Sequence, residues 1–323
     1  MKFIIYGVGA IGGTFAARLV ESGQSVAGIA RGAQLETLQA NGLLLRTPEG
    51  DIYARFPVAS DPTELDIGEN DVIFLTVKGQ DTEAALARLR LAGVSHQPIV
   101  CAQNGVANER LALRFFPNVY AMMIAMPATF IRPGEVAAFG TPHSGICDIG
   151  RYPTGEDDAT TSIAAALTGA GFATFVTAQP MKSKHHKLLL NLGNVIDAAI
   201  GKGASETEIF KAARAEGGAV YRAAGIDFGS GSLDAGRSAL MQDGVIAGAD
   251  RVGSSSAQSL ARGTGSIETD YLNGEIVLLG RLHGVPVPVN AGLVALGQKL
   301  VSEKLQPGSM SLEQVSRFLE TQN

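Results

Sequence analysis

A glycine-rich turn near the start of the chain constrains the fold more than any other feature. The segment Gly7-Val8-Gly9-Ala10-Ile11-Gly12 follows an apolar run at 2–6 and precedes a stretch with helical periodicity at 10–22. In such a G-x-G-x-x-G pattern the first glycine permits a tight turn, the second lets the backbone approach a pyrophosphate, and the third lets helix and strand pack closely. The pattern alone also fits a plain glycine-rich turn. Its place between a strand and a helix, whose N-terminus favours anions, predicts a dinucleotide-binding unit.

The residue after the second predicted strand bears on the choice of dinucleotide. Arg31 follows the strand at 25–30, and no acidic residue appears before Glu36. NAD sites place a carboxylate here for the ribose 2′-hydroxyl, whereas an arginine pairs bidentately with a 2′-phosphate. A solvated loop arginine is the alternative interpretation. The pattern favours NADP (NADPH) over NAD.

The first half of the chain alternates apolar runs with helical patterns, which indicates a parallel sheet covered on both faces. The predicted strands are 2–6, 25–30, 71–77, 98–103, 119–126 and 172–177, and the predicted helices are 10–22, 32–40, 80–92, 107–115 and 158–170. A turn at Arg132-Pro133-Gly134-Glu135 predicts an antiparallel hairpin after the parallel strands.

The second half lacks convincing strands and is periodic in apolar residues at helical spacing. The predicted helices are 182–200, 205–224, 235–247, 266–283, 288–303 and 311–321, the last with a capped start at Ser311. The sequence therefore predicts an α/β fold, with an N-terminal doubly wound Rossmann-type domain at 1–179 and an all-helical C-terminal domain at 180–323.

Composition excludes several classes of protein. The net charge of −5 disfavours nucleic-acid binding, which requires a basic surface. No run of 18 apolar residues predicts a membrane span. Cys101 and Cys147 lie far apart, so a reducing, cytoplasmic location is expected. The adjacent His185 and His186 lack metal-ligand spacing, and no metal is expected.

Six further motifs occur in a consistent order along the chain. They are Thr76-Val77-Lys78-Gly79-Gln80, Gln103-Asn104-Gly105-Val106, Lys187 with Asn191, Ser255-Ser256, Glu268-Thr269-Asp270-Tyr271-Leu272-Asn273-Gly274, and His283-Gly284-Val285-Pro286-Val287-Pro288-Val289-Asn290. Together with the glycine turn, they make the chain resemble the ketopantoate reductases (2-dehydropantoate 2-reductases and their relatives) from residue 1 to about residue 300.

The resemblance implies a reaction and roles for individual residues. NADPH would reduce a 2-keto acid, with 2-dehydropantoate the first candidate substrate, and Lys187 would protonate the nascent alkoxide. Glu268 would orient the substrate oxygen and the cofactor ribose. By the same resemblance, Lys78 and Asn104 would line the cofactor and the cleft between the domains, with Asn104 also facing substrate, and Asn191, Asn194 and Ser256 would hold the substrate.

The residues themselves agree with part of this. Lys187, Asn191 and Asn194 are four and three positions apart, which places them on one stripe of a continuous helix. A polar stripe on so apolar a helix is best explained if it lines a cleft. The alternatives are structural: the basic run 182–187 as a solvated helix start, and Glu268 as a surface residue.

The sequence also departs from the family pattern near the expected substrate. Val195 stands where pantoate-forming members commonly carry a second asparagine, and Asn194 lies one position earlier. Residues 257–267 differ from the family's usual Met-rich stretch. Two alternatives therefore stay open: a related dehydrogenase with another 2-keto acid, and a non-catalytic NADP-binding sensor. A homodimer is a candidate assembly.

Overall fold

The computed structural model describes residues 1–229, 235–251, 253–263 and 265–322, which form two compact units. The first unit contains residues 1–104, 108–183 and 235–251, and the second contains the remaining described residues. By this packing, residues 180–183 and 235–251, which the sequence analysis placed in the helical half, belong to the first unit.

The first unit is built on three sheets. Its strands are β1 (Lys2–Tyr6), β2 (Ser25–Ile29), β3 (Leu43–Thr47), β4 (Gly50–Ala54), β5 (Val58–Ala59), β6 (Val72–Leu75), β7 (Ile99–Cys101), β8 (Val119–Ala125), β9 (Ala128–Arg132), β10 (Glu135–Ala138), β11 (Gly140–Pro142), β12 (Ile146–Arg151), β13 (Ala173–Val176) and β14 (Met241–Asp243). Its helices are α1 (Ala10–Glu21), α2 (Gly32–Asn41), α3 (Thr82–Leu91), α4 (Asn108–Ala112) and α5 (Asp158–Gly169), and the start of α6 (Pro180–Asn191) and the short α9 (Ala235–Ser238) also belong to it.

The main sheet has the strand order β13-β12-β8-β7-β6-β1-β2-β5. Six neighbouring strands of this sheet run parallel, in the order β8, β7, β6, β1, β2 and β5, and β12 pairs antiparallel with β8. The chain winds outward from β1 in both directions, so the doubly wound fold class is confirmed. In such a sheet ligands bind outside the carboxyl ends of the strands where the winding reverses, which here is the end of β1.

Apolar side chains cover both faces of this sheet. One cluster lies under α1 and α5, where Phe15 packs edge-to-face on Phe74 with ring centroids 5.4 Å apart. The other lies under α3 and α4 and includes Leu86 and Phe116. Because the strands are buried on both faces, they read as continuous apolar runs, and this made them predictable.

Two parts of the first unit differ from expectation. The hairpin at 132–135 is confirmed as β9 and β10, but it belongs to a second sheet, β4-β3-β10-β9, whose first two strands were not predicted. The helix predicted at 235–247 is wrong beyond Ser238, because Met241–Asp243 pairs antiparallel with β11. Ile246 then packs on Phe139, so the apolar residues here serve a strand and a loop.

The regular structure of the second unit is entirely helical among its described residues. It contains most of α6, followed by α7 (Asn194–Ile200), α8 (Glu208–Ala223), α10 (Ser255–Ala261), α11 (Asn273–His283), α12 (Pro288–Ser302) and α13 (Leu312–Glu320). The capped start at Ser311 is confirmed, since its hydroxyl accepts from the Gln314 N–H. No helix in the described part of the chain is long and apolar enough to cross a membrane.

Candidate active site

The glycine turn joins β1 to α1 at the point where the winding of the sheet reverses. Gly7 has φ +104°, a conformation that L side chains rarely adopt, and its N–H donates to Ile29 O at 3.0 Å. A Cβ on Gly12 would overlap the carbonyl oxygen of Gly7 and come within 2.5 Å of Thr76 Oγ1. The first and third glycines are therefore needed for the turn and for the close approach of helix and strand.

The second glycine has a different environment. A Cβ on Gly9 would meet no atom within 4 Å, and no side chain among the described residues caps the start of α1 at this residue. This leaves an open cradle beside a helix N-terminus, where N–H groups and the helix dipole attract a phosphate. The turn therefore fits the pyrophosphate of a dinucleotide.

Gln34 holds the glycine turn in place through hydrogen bonds to the backbone, and this role was not predicted from the sequence. Its Nε2 donates to Val8 O at 2.8 Å, and its Oε1 accepts from the Gly134 N–H at 2.7 Å. The side chain thereby ties the glycine turn to the β9–β10 hairpin. Its only sequence signal is its position in the first turn of the helix that follows β2.

Arg31 lies two residues after the end of β2 and is the N-cap residue of α2. Its side chain is exposed, and it makes no hydrogen bond or ion pair within the described residues. The paired ends of β1 and β2, Tyr6 and Ile29, place it beside the start of the glycine turn. An exposed guanidinium at this position fits a 2′-phosphate without first having to leave another partner.

Lys78 and Asn104 follow the carboxyl ends of β6 and β7, at the same edge of the sheet. Lys78 is half-buried at the start of a one-turn helix, Gly79–Asp81, and interacts with neighbouring groups. The backbone oxygen of Asn104 accepts from Asn108 Nδ2 at 3.2 Å. The structure thus brings these two residues, Arg31 and the glycine turn to one edge of one sheet.

Lys187 and Asn191 belong to the second unit and lie one helical turn apart on α6, both half-buried. Lys187 interacts with neighbouring groups. Nδ2 of Asn191 is buried and has no hydrogen-bond partner among the described residues. Leaving a buried amide unpaired costs about 1–3 kcal/mol, so this face of α6 is built to receive an acceptor.

The basic run 182–187 is only partly solvated, in contrast to the structural alternative, because Lys182 is exposed but Ser183 and Lys184 are buried. Lys184 is 3% exposed. The ring of His185 packs edge-on against Tyr221, with centroids 5.0 Å apart. Burial, followed by the charge of Lys184, lowers the pKa of His185 to about 4. The turn of α6 that precedes Lys187 is therefore packed inside the protein and carries polar side chains.

Asn194 does not continue the stripe of Lys187 and Asn191. The continuous helix predicted at 182–200 is wrong, because α6 ends at Asn191 and α7 begins at Asn194. Asn194 Nδ2 donates to Ser255 Oγ at 3.4 Å, and Val195 is 1% exposed in the core. A substrate role for Asn194 stays a prediction, while its observed contact ties α7 to α10.

Ser256 lies in the first turn of α10. The helix N-terminus is held by α7, because the Ser254 N–H donates to Asp197 Oδ2 at 2.6 Å and Ser254 Oγ donates to Asn194 O at 2.9 Å. Ser256 is 2% exposed, and its Oγ has no partner in the part of the chain that the structure describes. It is a second buried polar group with unfilled hydrogen-bonding capacity.

Glu268 precedes a one-turn helix, Thr269–Tyr271. It is 9% exposed and interacts with neighbouring groups, so its interpretation as a surface residue is wrong. A buried carboxylate is costly unless it is paired or hydrogen-bonded. The second unit therefore carries a half-buried lysine, a buried carboxylate and two unfilled hydrogen-bonding groups. Among the described residues, no group of three or more His, Cys, Asp or Glu could hold a metal ion.

Comparisons with known proteins agree with this arrangement. Residues 3–154 match the family model described as ketopantoate reductase PanE/ApbA, and residues 181–300 match the model of its C-terminal region. The chain is 27% identical to a 2-dehydropantoate 2-reductase of Halobacterium salinarum, over 93% of this chain and 99% of that protein.

Solved structures show the same fold. A PanE/ApbA family ketopantoate reductase from Ralstonia eutropha is 27% identical, with a TM-score of 0.77 over 94% of this chain and 99% of that chain. A D-mandelate dehydrogenase in ternary complex with NADH and anilino(oxo)acetate is 21% identical, with a TM-score of 0.78 over 95% of this chain and 100% of that one. The two family models together span both units of the structure. The chain belongs to the ketopantoate reductase family of oxidoreductases.

Proposed function

We propose that this chain reduces a 2-keto acid to a 2-hydroxy acid with NADPH, and that 2-dehydropantoate, which yields pantoate for pantothenate synthesis, is the first substrate to test. The observation that carries the proposal is the face of α6, where Lys187 lies one turn from an amide with unfilled hydrogen-bonding capacity, Asn191 Nδ2. An unpaired buried donor beside a cation fits an anionic substrate with a carbonyl oxygen. The named relatives that span the whole chain support this substrate class.

The first unit offers the groups that would hold the cofactor. The glycine turn and the start of α1 would bind its pyrophosphate through backbone N–H groups. Arg31 would pair with the 2′-phosphate, and Lys78 and Asn104 would contact the nicotinamide half of the molecule. When bound, NADPH supplies the hydride.

Lys187 would supply the proton. The carbonyl oxygen of a keto acid gains negative charge as the carbon is reduced, and the lysine ammonium stabilises that charge and then donates its proton. Glu268 would accept a hydrogen bond from the hydroxyl that forms and so keep the hydroxyl oxygen close to the Lys187 ammonium. Reprotonation of Lys187 from solvent completes the cycle.

Asn191 and Ser256 would hold the carboxylate of the substrate. Both present buried groups that lack a partner among the described residues, and a carboxylate accepts from an amide and from a hydroxyl. Charge-assisted hydrogen bonds of this kind are worth about 1.5–3 kcal/mol each. They would fix the keto acid with its carbonyl toward Lys187, which is the orientation that protonation requires.

A second 2-keto acid is favoured by one observation. Val195 is buried where pantoate-forming members of the family commonly carry an asparagine, and Asn194 bonds to Ser255. A less polar keto acid would not need that amide. The D-mandelate dehydrogenase with the same fold holds the aryl ligand anilino(oxo)acetate, which shows the fold hosting such a ligand. A non-catalytic NADP sensor is disfavoured, since it would have no use for Lys187 and Glu268.

The test is NADPH oxidation at 340 nm with 2-dehydropantoate and with branched and aryl 2-keto acids, each repeated with NADH. Turnover of 2-dehydropantoate at kcat/KM above about 10⁴ M⁻¹s⁻¹ with NADPH preferred supports the first substrate. Slow turnover of 2-dehydropantoate beside fast turnover of another acid selects the second candidate. NADPH binding with no oxidation by any acid contradicts the proposed function. The cytoplasmic location and the homodimer expected from the sequence stay predictions.

A further inference from the structure

Two asparagines of the motifs at 268–274 and 283–290 have no role in the proposed chemistry, although both are fully buried. Asn273 is 1% exposed and Asn290 is 0% exposed. With Glu216 of α8 they form a hydrogen-bonded network inside the second unit, which we call the amide clamp (Asn273, Asn290 and Glu216).

The amide clamp uses every amide hydrogen of its two asparagines. Asn273 Nδ2 donates to Leu192 O and to Asn290 Oδ1, both at 3.1 Å. Asn290 Nδ2 donates to Ala213 O at 3.0 Å and to Glu216 Oε2 at 2.7 Å. A fully satisfied buried network holds its members in one arrangement, so the clamp also fixes the backbone carbonyl groups to which it donates, those of Leu192 and Ala213.

The carboxylate of Glu216 secures the other end of the clamp. It accepts from the backbone N–H groups of Val289 and Asn290, at 2.8 and 2.9 Å, in the first turn of α12. A negative charge at a helix N-terminus is stabilised both by the free N–H groups and by the helix dipole. The clamp therefore joins α8, α11 and α12 to the backbone at Leu192.

Leu192 lies in the break between α6 and α7. Asn191, in the last turn of α6, immediately precedes it, and Lys187 lies one turn further back. Gly193 packs so closely on the ring of Phe210 that a Cβ there would lie 3.0 Å from it. After the break, Asn194 and Asp197 of α7 hold the start of α10, and thus Ser256. Asn273 therefore hydrogen-bonds to a carbonyl group that lies between α6, which carries Lys187, and α7, which holds the helix of Ser256.

We propose that Asn273 is a positioning residue that fixes the break between α6 and α7. The fixed break lets Lys187 and Asn191 on one side, and Ser256 on the other, contact the same substrate at the same time. The inference rests on the proposed function for the chemistry of those three residues. Asn273 itself touches neither substrate nor cofactor in this account. Its effect reaches the reaction through the backbone of Leu192, with the rest of the amide clamp holding Asn273 in place.

Asn273→Ala tests the proposal in the full chain, with Thr207→Ala as the matched control. Thr207 is also buried in the second unit and caps α8, but it bonds only within its own turn. We expect N273A to lower kcat at least tenfold and to raise the KM for the keto acid, while the Kd for NADPH stays within twofold of the wild type. T207A should lower the Tm but leave both kinetic constants within twofold.

A second variant loosens the clamp from its other end and covers the case in which N273A does not fold. Glu216→Gln keeps the size of the side chain but places an amide N–H group against one of the two backbone N–H groups that the carboxylate accepts from, at Val289 or Asn290. E216Q should therefore lower kcat as N273A does, and the double variant should fall no more than threefold below the slower single variant, because both act on Leu192 through one network. Independent losses of packing would instead multiply in the double variant.

Hydrogen exchange gives a readout that needs no substrate. N273A should speed exchange of the amides at 193–197 at least tenfold, with α5 unchanged as the internal reference. Wild-type kcat in N273A, or losses that multiply in the N273A/E216Q variant, would overturn the positioning role. An inactive wild type across the keto acid panel would instead overturn the proposed function, and exchange at 193–197 would still decide whether Asn273 fixes the break.

Discussion

The two units of this protein expose polar groups to ligands in different ways. In the first unit the sheet is apolar on both faces, and the candidate pyrophosphate site is made of backbone N–H groups and an open cradle at Gly9. In the second unit the helices carry polar side chains into the interior. Buried side-chain atoms without a hydrogen-bond partner among the described residues occur in both units, and the second unit has six of them. These are His185 Nδ1, His186 Nδ1, Asn191 Nδ2, Tyr221 OH, Ser256 Oγ and Thr269 Oγ1.

The difference explains why the candidate cofactor residues include a short sequence motif and the candidate substrate residues do not. A backbone site needs glycines at fixed spacing, which a short segment contains in full. A side-chain site needs residues from several helices, whose meeting depends on tertiary packing. The comparison predicts separable losses: changes in the first unit should affect cofactor binding, and changes in the second should affect turnover or stability.

The largest effect is expected for Lys187→Ala. Removing a general acid costs about 10²–10⁴-fold in rate, so kcat should fall about 10³-fold. The Kd for NADPH, measured by its fluorescence, should stay at the wild-type value because the cofactor groups belong to the first unit. Lys182→Ala, an exposed lysine on the same helix, is the matched control and should keep wild-type kcat. A wild-type kcat in K187A would contradict the assignment of turnover to Lys187 in the second unit.

The next effect concerns acid stability and the second unit alone. Burial lowers the pKa of His185 to about 4 from a value of 6.5 in the unfolded chain, so the unfolded chain binds more protons between these pH values. The stability from keeping this imidazole neutral is full above pH 6.5 and is lost as the pH falls toward 4. The whole loss is about 3 kcal/mol.

His185→Phe keeps a ring against Tyr221 and removes the titration. Urea unfolding at pH 5 and pH 8 should show a smaller difference in the free energy of unfolding for H185F than for the wild type, by about 2 kcal/mol. An equal pH dependence in the two proteins would show that His185 is not held neutral.

Arg31→Ala should change cofactor preference. Loss of a charge-assisted pair with the 2′-phosphate should raise the KM for NADPH about 10–100-fold, at about 1.5–3 kcal/mol, and leave the KM for NADH within threefold. Arg55→Ala, in the same unit but past the end of β4, serves as the surface control. Equal effects on both cofactors would assign Arg31 to general attraction of anions.

The smallest effect separates two glycines of one turn. A methyl group on Gly9 enters open space, so Gly9→Ala should leave the Tm unchanged and weaken NADPH binding about tenfold, or about 1.4 kcal/mol. A methyl group on Gly12 meets the Gly7 carbonyl, so Gly12→Ala should lower the Tm as well. If G9A binds NADPH like the wild type, the cradle is not where the pyrophosphate binds.

The parallel core of the fold was predictable, because β1, β2, β6, β7 and β8 are short apolar runs between helical patterns. The sheet β4-β3-β10-β9 was only partly predictable, since exposed β4 carries no continuous apolar run. The strand at 241–243 was predicted as part of a helix from the spacing of apolar residues between 235 and 247. Of residues 241–247, however, only Ile246 is buried, and Val245 is 89% exposed, so this spacing does not mark the buried face of a helix.

The candidate site was predicted residue by residue, but its connections were not. The break after Asn191 was not predicted, and local spacing does not indicate the hydrogen bond that its Leu192 carbonyl accepts from Asn273, which lies 81 positions away. The contact of Asn194 with Ser255 is similarly remote. Local spacing gives the face of a single helix, whereas contacts of this kind depend on tertiary packing.

The most direct test of keto acid reduction follows the hydride into the product. The protein is incubated with 2-dehydropantoate and NADPH carrying two deuterium atoms at C4 of the nicotinamide, and the hydroxy acid is analysed by mass spectrometry. We expect pantoate with one deuterium, on C2, and a hydroxyl proton drawn from solvent. Product without deuterium, or NADPH oxidation with no hydroxy acid formed from this or any other 2-keto acid, would contradict it.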